Sequence, residues 1–368
     1  LFAYDNVDGQ MNQAKGVAME YALSSSIKKV SVSRKPKVGF LIGHGEPPLA
    51  HYQQVIPALR VLYDIREVDL DDTALNMQDY KTLIIVSPDD SVPAYQLNML
   101  DAFIGRGGNI LFAYDNVDGQ MNQAKGVAVN TNFEEWIEEK GIRINNDFIV
   151  DNQCTNVGVR QQQGQMTFTT RVKFPYIPVI TNFPKHPINT GLEEVMMPFV
   201  SSLTFVGDTS KVQFRSIATS SQNSGTATPP LTFDINKQWN RQDFPLDYLP
   251  VGATLEGSIR GNVPSRMVVF SDGDFPVNGP GRQAQQLNED NVNLFVNAVD
   301  WLSDDTGLIE LRTKGVTSRP LDQVEDSTKT LLKWLNFFVP IILIILYGII
   351  RFQRSRNRRI KRMEEGYV

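Results

Sequence analysis

The sequence Lys37-Val-Gly-Phe-Leu-Ile is a short apolar run that leads directly into the turn sequence Gly43-His-Gly-Glu-Pro-Pro. A run of this length and composition is typical of a strand buried on both faces of a parallel sheet. Similar runs recur at residues 65–70, 81–86 and 109–114. We therefore expect these four segments to be strands of one buried sheet.

Two segments between these runs have helical spacing. In residues 52–63, Val55, Ile56, Leu59 and Leu62 repeat at the spacing of one helix face. The other segment, 95–104, is followed by three glycines within four residues, which suits a helix C-terminus. The resulting β-α-β-β-α-β order predicts an α/β fold of the doubly wound type, with a mostly parallel sheet and right-handed crossovers.

The pattern changes after a short acidic helix at 133–140. From residue 142 to 261 the sequence has short alternating runs separated by proline and glycine, which indicates a β-rich, antiparallel domain or insertion. Within it, the Ser-, Thr- and Asn-rich residues 216–230 are expected to form an exposed loop. The pattern of a buried strand resumes at 266–270. An amphipathic helix is predicted at 291–302 and a last strand at 308–312.

These patterns divide the chain into six parts. They are a lead-in (1–36), an α/β domain (37–141 plus 262–312), the β-rich part (142–261), a polar tether (313–330), a transmembrane helix (331–351) and a basic cytoplasmic tail (352–368).

The lead-in contains a duplicated segment, because residues 1–18 are identical to residues 111–128. Natural repeats diverge, so an unchanged copy of one strand and turn indicates a recent duplication or an artefact of sequence assembly. We predict that the first copy does not repeat the fold of the second. The chain opens at Leu1 without an export signal, so we expect it to be a fragment whose signal or first span precedes it.

The predicted span reads Leu331-Leu-Lys-Trp-Leu-Asn-Phe-Phe-Val-Pro-Ile-Ile-Leu-Ile-Ile-Leu-Tyr-Gly-Ile-Ile. Roughly 20 apolar residues cross a hydrocarbon core of about 30 Å, and this run just reaches that length. Trp334 and Tyr347 lie near its two ends, where amphipathic rings favour the membrane interface. Pro340 is tolerated where neighbouring groups satisfy the freed carbonyl. A buried helix of a soluble domain is the alternative, and the flanking charges argue against it.

Seven basic residues follow within positions 351–362. Basic residues beside a span are retained in the cytoplasm. Arg351, Arg354, Arg358 and Arg359 are therefore expected to fix the orientation in the lipid bilayer of a bacterial inner membrane, with the C-terminus cytoplasmic and the bulk of the chain periplasmic. The rest of the chain is acidic, so no nucleic-acid partner is expected. The single cysteine, Cys154, permits no intrachain disulfide, which fits the cytosol or a Gram-negative periplasm.

Loops that follow parallel strands converge at one edge of the sheet, where open α/β sheets place ligand sites. The candidate ligand-site residues in these loops are His44, Glu46, Asp89, Asp90, Asp115, Asp272 and Asp274. Clustered aspartates suit Ca²⁺, but such residues more often cap helices and shape turns. The spacing of His44 and Glu46 is not that of a helical zinc motif, since Pro47-Pro48 breaks a helix there. No metal or other cofactor is expected, and His44 is interpreted as a hydrogen-bonding loop residue.

The sequence lacks the motifs that catalysis or ATP hydrolysis would require. An amidotransferase needs an activated thiolate at a strand-to-helix elbow, whereas Cys154 lies in the β-rich part. A Gly-x-Ser-x-Gly elbow is also absent, and so is a Walker motif. We therefore expect no enzymatic activity, and any ATP hydrolysis must belong to another chain.

Three stretches together resemble the GldG family of gliding-motility ABC-transporter auxiliary proteins. They are Val38-Gly-Phe-Leu-Ile-Gly-His-Gly-Glu, Met267-Val-Val-Phe-Ser-Asp-Gly-Asp-Phe, and Leu294-Phe-Val-Asn-Ala-Val-Asp-Trp-Leu ahead of Leu308-Ile-Glu-Leu-Arg. Their order and spacing carry the resemblance, which covers nearly all of residues 20–350. It implies a periplasmic domain of the class I glutamine-amidotransferase-like type, flavodoxin-like in its sheet and related to a module of intraflagellar-transport proteins. It also implies two partners, namely a separate cytoplasmic ATPase and a separate ABC permease subunit.

The leading hypothesis is thus a non-catalytic, membrane-anchored auxiliary subunit, resembling a substrate-binding component, of an ABC transporter linked to gliding motility. The alternatives are a periplasmic receptor domain for sugars or peptides and a carboxylate-dependent hydrolase. A hydrolase predicts a cavity in which a carboxylate has a raised pKa. A receptor predicts a cavity whose groups titrate normally, and a purely structural subunit predicts filled loops at the sheet edge.

Overall fold

The computed structural model describes residues 35–163, 166–303 and 326–366. The first copy of the duplicated segment, the predicted strand at 308–312 and most of the predicted tether lie outside these ranges. The chain divides into two units, Leu1–Ser318 and Arg319–Val368.

The first unit contains four α-helices, and the second contains one, among the described residues. The helices are α1 (Val55–Leu59), α2 (Ala94–Ile104), α3 (Phe133–Glu138), α4 (Glu289–Ser303) and α5 (Asp326–Glu365). Short 3₁₀ helices lie at Leu49–His51, Met77–Asp79, Met121–Gln123, Pro187–Asn189, Arg241–Asp243 and Gly281–Gln283.

The strands all lie in the first unit as far as the structure describes the chain. They are β1 (Lys37–Ile42), β2 (Asp64–Asp69), β3 (Tyr80–Val86), β4 (Asn109–Ala113), β5 (Val117–Gln120), β6 (Lys125–Ala128), β7 (Ile142–Ile144), β8 (Phe148–Asp151), β9 (Cys154–Gln163), β10 (Met166–Ile180), β11 (Val195–Met196), β12 (Leu203–Phe205), β13 (Val212–Thr219), β14 (Ser224–Ala227), β15 (Leu231–Thr232), β16 (Pro250–Gly257) and β17 (Ser265–Phe270).

The main sheet has seven strands in the order β13-β16-β17-β4-β3-β1-β2. Strands β2, β1, β3, β4 and β17 run parallel to one another, and each of these had been predicted from its apolar run. The predicted α/β class with a parallel sheet is therefore confirmed. The sequence also predicted helices near α2, α3 and α4. Helix α1 is shorter than predicted, because Pro57 fits only the first turn of a helix and so prevents a start at residue 52.

The two remaining strands of the sheet, β13 and β16, are antiparallel and come from the part that we predicted to be a separate β-rich region. The predicted boundary at residue 261 therefore falls between two paired strands of the main sheet, β16 and β17. The local alternation of β16 correctly indicates an antiparallel strand, but alternation does not reveal which strand will be its neighbour. The other strands of 142–261 form small sheets of two or three strands.

The prediction of an exposed loop at 216–230 is also corrected by the structure. Much of it is buried, because the end of β13 and all of β14 lie within it. The Ser220 and Ser224 hydroxyls are fully buried and lie 2.8 Å apart, and Ser220 Oγ accepts a hydrogen bond from the Leu249 backbone N–H. Small hydroxyl side chains can enter the interior when such partners satisfy them. Composition alone could not supply that information.

Both faces of the main sheet are covered by helices. One face packs against α1 and α4, and the other packs against α2 and α3. A third cluster of aromatic side chains lies between the small sheets. It includes Phe174 and Tyr176 of β10, which are both buried. This packing leaves the loops at the carboxyl ends of the parallel strands to form a site.

Candidate functional site

The site begins where the sheet changes direction. In the sheet, β1 lies between β2 and β3. The chain adds β2 on one side of β1 and then crosses over to add β3 on the other side, so the strand order reverses at β1. A crevice forms at the carboxyl ends of the strands at such a switch point, and open α/β sheets place ligands there. The loops after β1, β3, β4 and β17 meet at this edge.

These loops surround a cavity of about 260 Å³. Asp89, Asp115, Asp118 and Asp274 line it, together with the hydroxyl-bearing Ser87 and the aromatic Phe199. No lysine, arginine or histidine lines the cavity among the described residues. The cavity therefore presents negative charge and some apolar surface without a compensating cation.

Asp115 joins the ends of three neighbouring strands. Its Oδ2 accepts a hydrogen bond from Ser87 Oγ at 2.6 Å, and its Oδ1 accepts one from the Gly273 backbone N–H at 2.7 Å. The close approach requires glycine at position 273. A Cβ atom there would lie 2.2 Å from Ser87 Oγ and 2.7 Å from Asp115 Oδ2. Asp115 is therefore held rigidly at the wall of the cavity.

The crowding of carboxylates changes their acidity. Burial and the neighbouring Asp274 raise the pKa of Asp115 to about 8. The pKa of Asp274 is raised by desolvation and by Asp118 and Asp89, although part of its side chain faces solvent. Desolvation and the charge of Asp118 also raise the pKa of Asp89. The cavity therefore holds protons at a pH where isolated aspartates have lost them.

Asp272 lies within the protein and is not one of the lining residues. Its Oδ1 accepts hydrogen bonds from the backbone N–H groups of Asp274 at 2.8 Å and Phe275 at 3.1 Å. Its Oδ2 has no partner among the described residues. Full burial raises the pKa of Asp272 well above its ordinary value. Its role is to shape the turn that places Asp274.

His44 and Glu46 bind each other and do not line the cavity. Glu46 Oε2 accepts from the His44 backbone N–H at 2.7 Å, and Glu46 Oε1 lies 3.3 Å from His44 Nδ1. His44 Nε2 lies 2.5 Å from Gln96 Oε1, and Gln96 Nε2 donates to Asp71. Both imidazole nitrogens thus face side-chain oxygens, an arrangement that favours the doubly protonated ring. The hydrogen bond with Glu46 is the main cause of the raised pKa of His44.

Of the seven residues proposed from sequence, Asp89, Asp115 and Asp274 come together at the cavity. Asp90 is exposed beside it, and its backbone N–H donates to the His44 carbonyl oxygen at 2.9 Å. Sequence reasoning missed Ser87, Asp118 and Phe199. The first two follow strands β3 and β4 closely, so their positions were available from the strand pattern. Phe199 enters from outside the α/β pattern, and no local signal marks it.

Metal-binding geometry is not found in the part of the chain that the structure describes, where no group of three or more potential ligand side chains is arranged to hold an ion. Cys154 is the first residue of β9 and does not line the cavity, and burial raises the pKa of its thiol. A raised thiol pKa disfavours the thiolate that a nucleophilic cysteine needs.

The other proposed residues lie on α5, which contains Pro340 and is uninterrupted over its 40 residues. Its segment Thr330–Met363 is long and apolar enough to cross a membrane, by length and composition. Trp334 and Tyr347 are 54% and 65% exposed. Arg351, Arg354, Arg358 and Arg359 are exposed on the continuation of the same helix.

Comparison with solved structures finds partial likenesses at low identity. The N-terminal domain of mmIFT52 is 15% identical with a TM-score of 0.48, over 73% of this chain and 98% of that one. A putative ThuA-like protein from Parabacteroides merdae is 12% identical with a TM-score of 0.39, over 78% and 94%. A putative GMP synthase component from Thermoplasma acidophilum is 9% identical with a TM-score of 0.33, over 77% and 96%.

A search of curated proteins gives no match. A family model described as an ABC-type uncharacterized transport system, the ABC transporter auxiliary family, matches residues 35–304. This match covers most of the chain, including the main sheet and every residue of the cavity. The chain therefore belongs to the family of auxiliary components of ABC-type transport systems.

Proposed function

We propose that this protein is a membrane-anchored, non-catalytic auxiliary subunit of a bacterial ABC transporter that supports gliding motility. Its α/β body lies in the periplasm, α5 crosses the inner membrane, and the basic end of α5 lies in the cytoplasm. The body is an amidotransferase-like domain that has lost the reaction, since its only cysteine, Cys154, does not line the cavity at the carboxyl ends of the parallel strands.

The proposed membrane anchoring rests on one observation. The apolar side chains of residues 331–350 are exposed along the whole helix, and Ile344 is 71% exposed. Leaving one large aliphatic side chain in water rather than burying it costs roughly 1.5–3 kcal/mol, and this helix carries more than a dozen. A bilayer removes that cost without requiring any further protein. The arginines that follow set the orientation.

The span also offers a face for a partner within the membrane. Asn336, Pro340 and Tyr347 are separated by four and seven residues, so they share one face of the helix. Polar residues in a span usually face other helices, because hydrocarbon cannot satisfy them. We assign this face to a permease subunit. Since the chain has no Walker motif, a separate cytoplasmic ATPase supplies the energy.

Mild detergent purification of the full chain tests this assignment. We expect the permease and the ATPase to co-purify with the wild-type chain. The double variant Asn336→Leu/Tyr347→Leu should lose the permease while remaining in the membrane fraction. Ile345→Ala, on the opposite face, is the matched control and should retain the permease. A wild-type chain that emerges alone while both partners are expressed would refute the proposal.

The link to gliding is supported by the resemblance of the sequence to the GldG family. Deleting the gene in a gliding host should abolish spreading on agar, and the wild-type chain should restore it. A deletion strain that spreads normally would remove gliding from the proposal without affecting the transporter role.

A carboxylate-dependent hydrolase is the second candidate function. The raised pKa of Asp115 beside the ionisable Asp274 favours it, because a proton donor and a carboxylate base in one cavity can perform acid–base hydrolysis. A panel of chromogenic glycosides and esters tests it. Turnover that Asp115→Asn abolishes and Asp90→Asn preserves would establish the enzyme, and the same panel without turnover favours a receptor or the auxiliary subunit.

A further inference from the structure

Helix α5 continues well beyond the apolar run. It extends without a break to Glu365, so residues 351–365 continue the axis of the proposed span. At about 1.5 Å per residue, Arg358 lies roughly 12 Å and Arg362 roughly 18 Å along the axis beyond Ile350. Neither proline nor glycine interrupts the helix between Ile349 and Glu365.

The headgroup layer cannot cover this whole extension. A bilayer of about 40–45 Å with a hydrocarbon core of about 30 Å leaves roughly 5–8 Å of headgroups on each side. Arg351 and Arg354 fall within reach of that layer. The distal arginines, at Arg358 and beyond, lie on the aqueous side of it. Lipid phosphates can therefore pair with the first turn of the extension but do not reach its distal turns.

The distal charges are arranged in a stripe. Arg354, Arg358 and Arg362 are each four residues apart, and Arg351 and Lys361 fall on the same face. Phe352, Arg356, Arg359 and Met363 occupy the other side. None of the five stripe residues forms an ion pair with an acidic side chain among the described residues. Like charges at this spacing repel and weaken a helix, so the stripe gains most from an external acidic partner.

We propose that the distal part of this stripe, Arg358, Lys361 and Arg362, docks on an acidic surface of the cytoplasmic ATP-hydrolysing subunit. The inference rests on the proposed function for the orientation of α5 and for the existence of that subunit. Guanidinium groups suit this role because they bind carboxylates through two parallel hydrogen bonds. The distal part of the stripe lies below the headgroups and belongs to the same helix as the span, so it mechanically couples the ATPase to the membrane helix.

The test uses the full chain in nanodiscs of neutral lipid and the purified ATP-hydrolysing subunit of its transport system as the probe. The variant Arg358→Glu/Arg362→Glu reverses two charges of the stripe. The control Arg356→Glu/Arg359→Glu reverses two charges on the other side, so both variants have the same net charge. We expect the stripe variant to bind at least ~10-fold more weakly and the control to change by less than ~3-fold, as positioned charge pairs do. The wild-type affinity should fall as salt is raised.

Three outcomes would overturn the inference. Equal weakening by both variants would show attraction to net charge rather than to the stripe, and no effect of either would exclude the stripe. A label at Arg362→Cys that becomes shielded by anionic lipid in nanodiscs lacking the ATPase would assign the stripe to the membrane surface. In each of these cases the chain is still inserted, so the proposed function stands. A chain that does not enter the nanodisc refutes the inference and the proposed function together.

Discussion

Among the residues that the structure describes, the α/β body buries its apolar side chains against one another, whereas the apolar side chains of α5 are exposed. Phe112 and Phe270 at the centre of the sheet are fully buried, while Ile344 in the middle of α5 is 71% exposed. Both regions are strongly apolar in sequence. The body therefore provides its own apolar environment, whereas α5 depends on one supplied by its surroundings.

Charging the middle of α5 should have the largest effect and should separate the two regions most clearly. Each arginine at the centre of a span costs about 2.5–3.5 kcal/mol of insertion free energy, so Ile342→Arg/Leu346→Arg should cost roughly 5–7 kcal/mol. We expect the variant to leave the membrane fraction on alkaline carbonate extraction while the body keeps its near-ultraviolet circular dichroism. Val61→Arg, at an exposed site of the body, should stay in the membrane fraction and keep the same spectrum. Retention of the double variant in the membrane fraction would contradict an α5 that is embedded in lipid.

Removing a large side chain from the core should have the opposite effect, because it destabilises the body without changing membrane retention. Phe270 is fully buried, and its ring centroid lies 5.0 Å from that of Phe275. Phe270→Ala should lower the free energy of unfolding of the body by about 3–5 kcal/mol, because it removes buried surface and leaves a cavity. Urea unfolding of the detergent-solubilised chain measures this, and membrane retention should not change. Val61→Ala is the control, and a loss below about 1 kcal/mol for Phe270→Ala would contradict the packing described.

The strands of the sheet were predictable because a strand buried on both faces must be a continuous apolar run, as 81–86 and 266–270 are. Asp89, Asp115 and Asp274 were predictable because they follow such strands. The roles of β13 and β16 were not, since the partner of an antiparallel strand depends on packing far away in sequence. The pairing of His44 with Gln96 likewise joins residues 52 positions apart. The membrane role proposed for α5 could be inferred from sequence because an apolar span is recognised from its own residues alone.

The close contact at the cavity wall should have an intermediate effect. Gly273→Ala places a methyl group against Ser87 Oγ and should destabilise the body by about 1–3 kcal/mol. Ser87→Ala removes that oxygen, so the double variant should be more stable than the sum of the two single changes predicts. Urea unfolding of the three variants measures this coupling. Strict additivity would mean that the two residues do not touch.

The pH dependence of the cavity should have an effect of similar size. The raised pKa of Asp115 means that the folded body retains a proton that the unfolded chain releases from about pH 4 upward. The stabilisation from that proton is complete below pH 4 and is lost as the pH rises through about 8. Asp115→Asn has no such proton, so its stability relative to wild type should rise over this window.

We expect that relative gain to be of the order of 1–3 kcal/mol, less than a fully buried carboxyl would give, because Asp115 is only half-buried. Asp90→Asn, at an exposed position of the same edge, should follow the wild-type curve. Parallel curves for Asp115→Asn and wild type would place Asp115 in an ordinary aqueous environment.

Cysteine labelling in intact cells tests the orientation of the chain most directly. In a Cys154→Ser background, which removes the only native cysteine, one probe is Ser91→Cys on the body and the other is Ser355→Cys beyond the apolar run. We predict that a maleimide unable to cross the inner membrane labels the Ser91→Cys chain in intact cells. The same reagent should label the Ser355→Cys chain only after that membrane is permeabilised. Labelling of both chains in intact cells, or the reverse pattern, would contradict a body and a basic helix end on opposite sides of the bilayer.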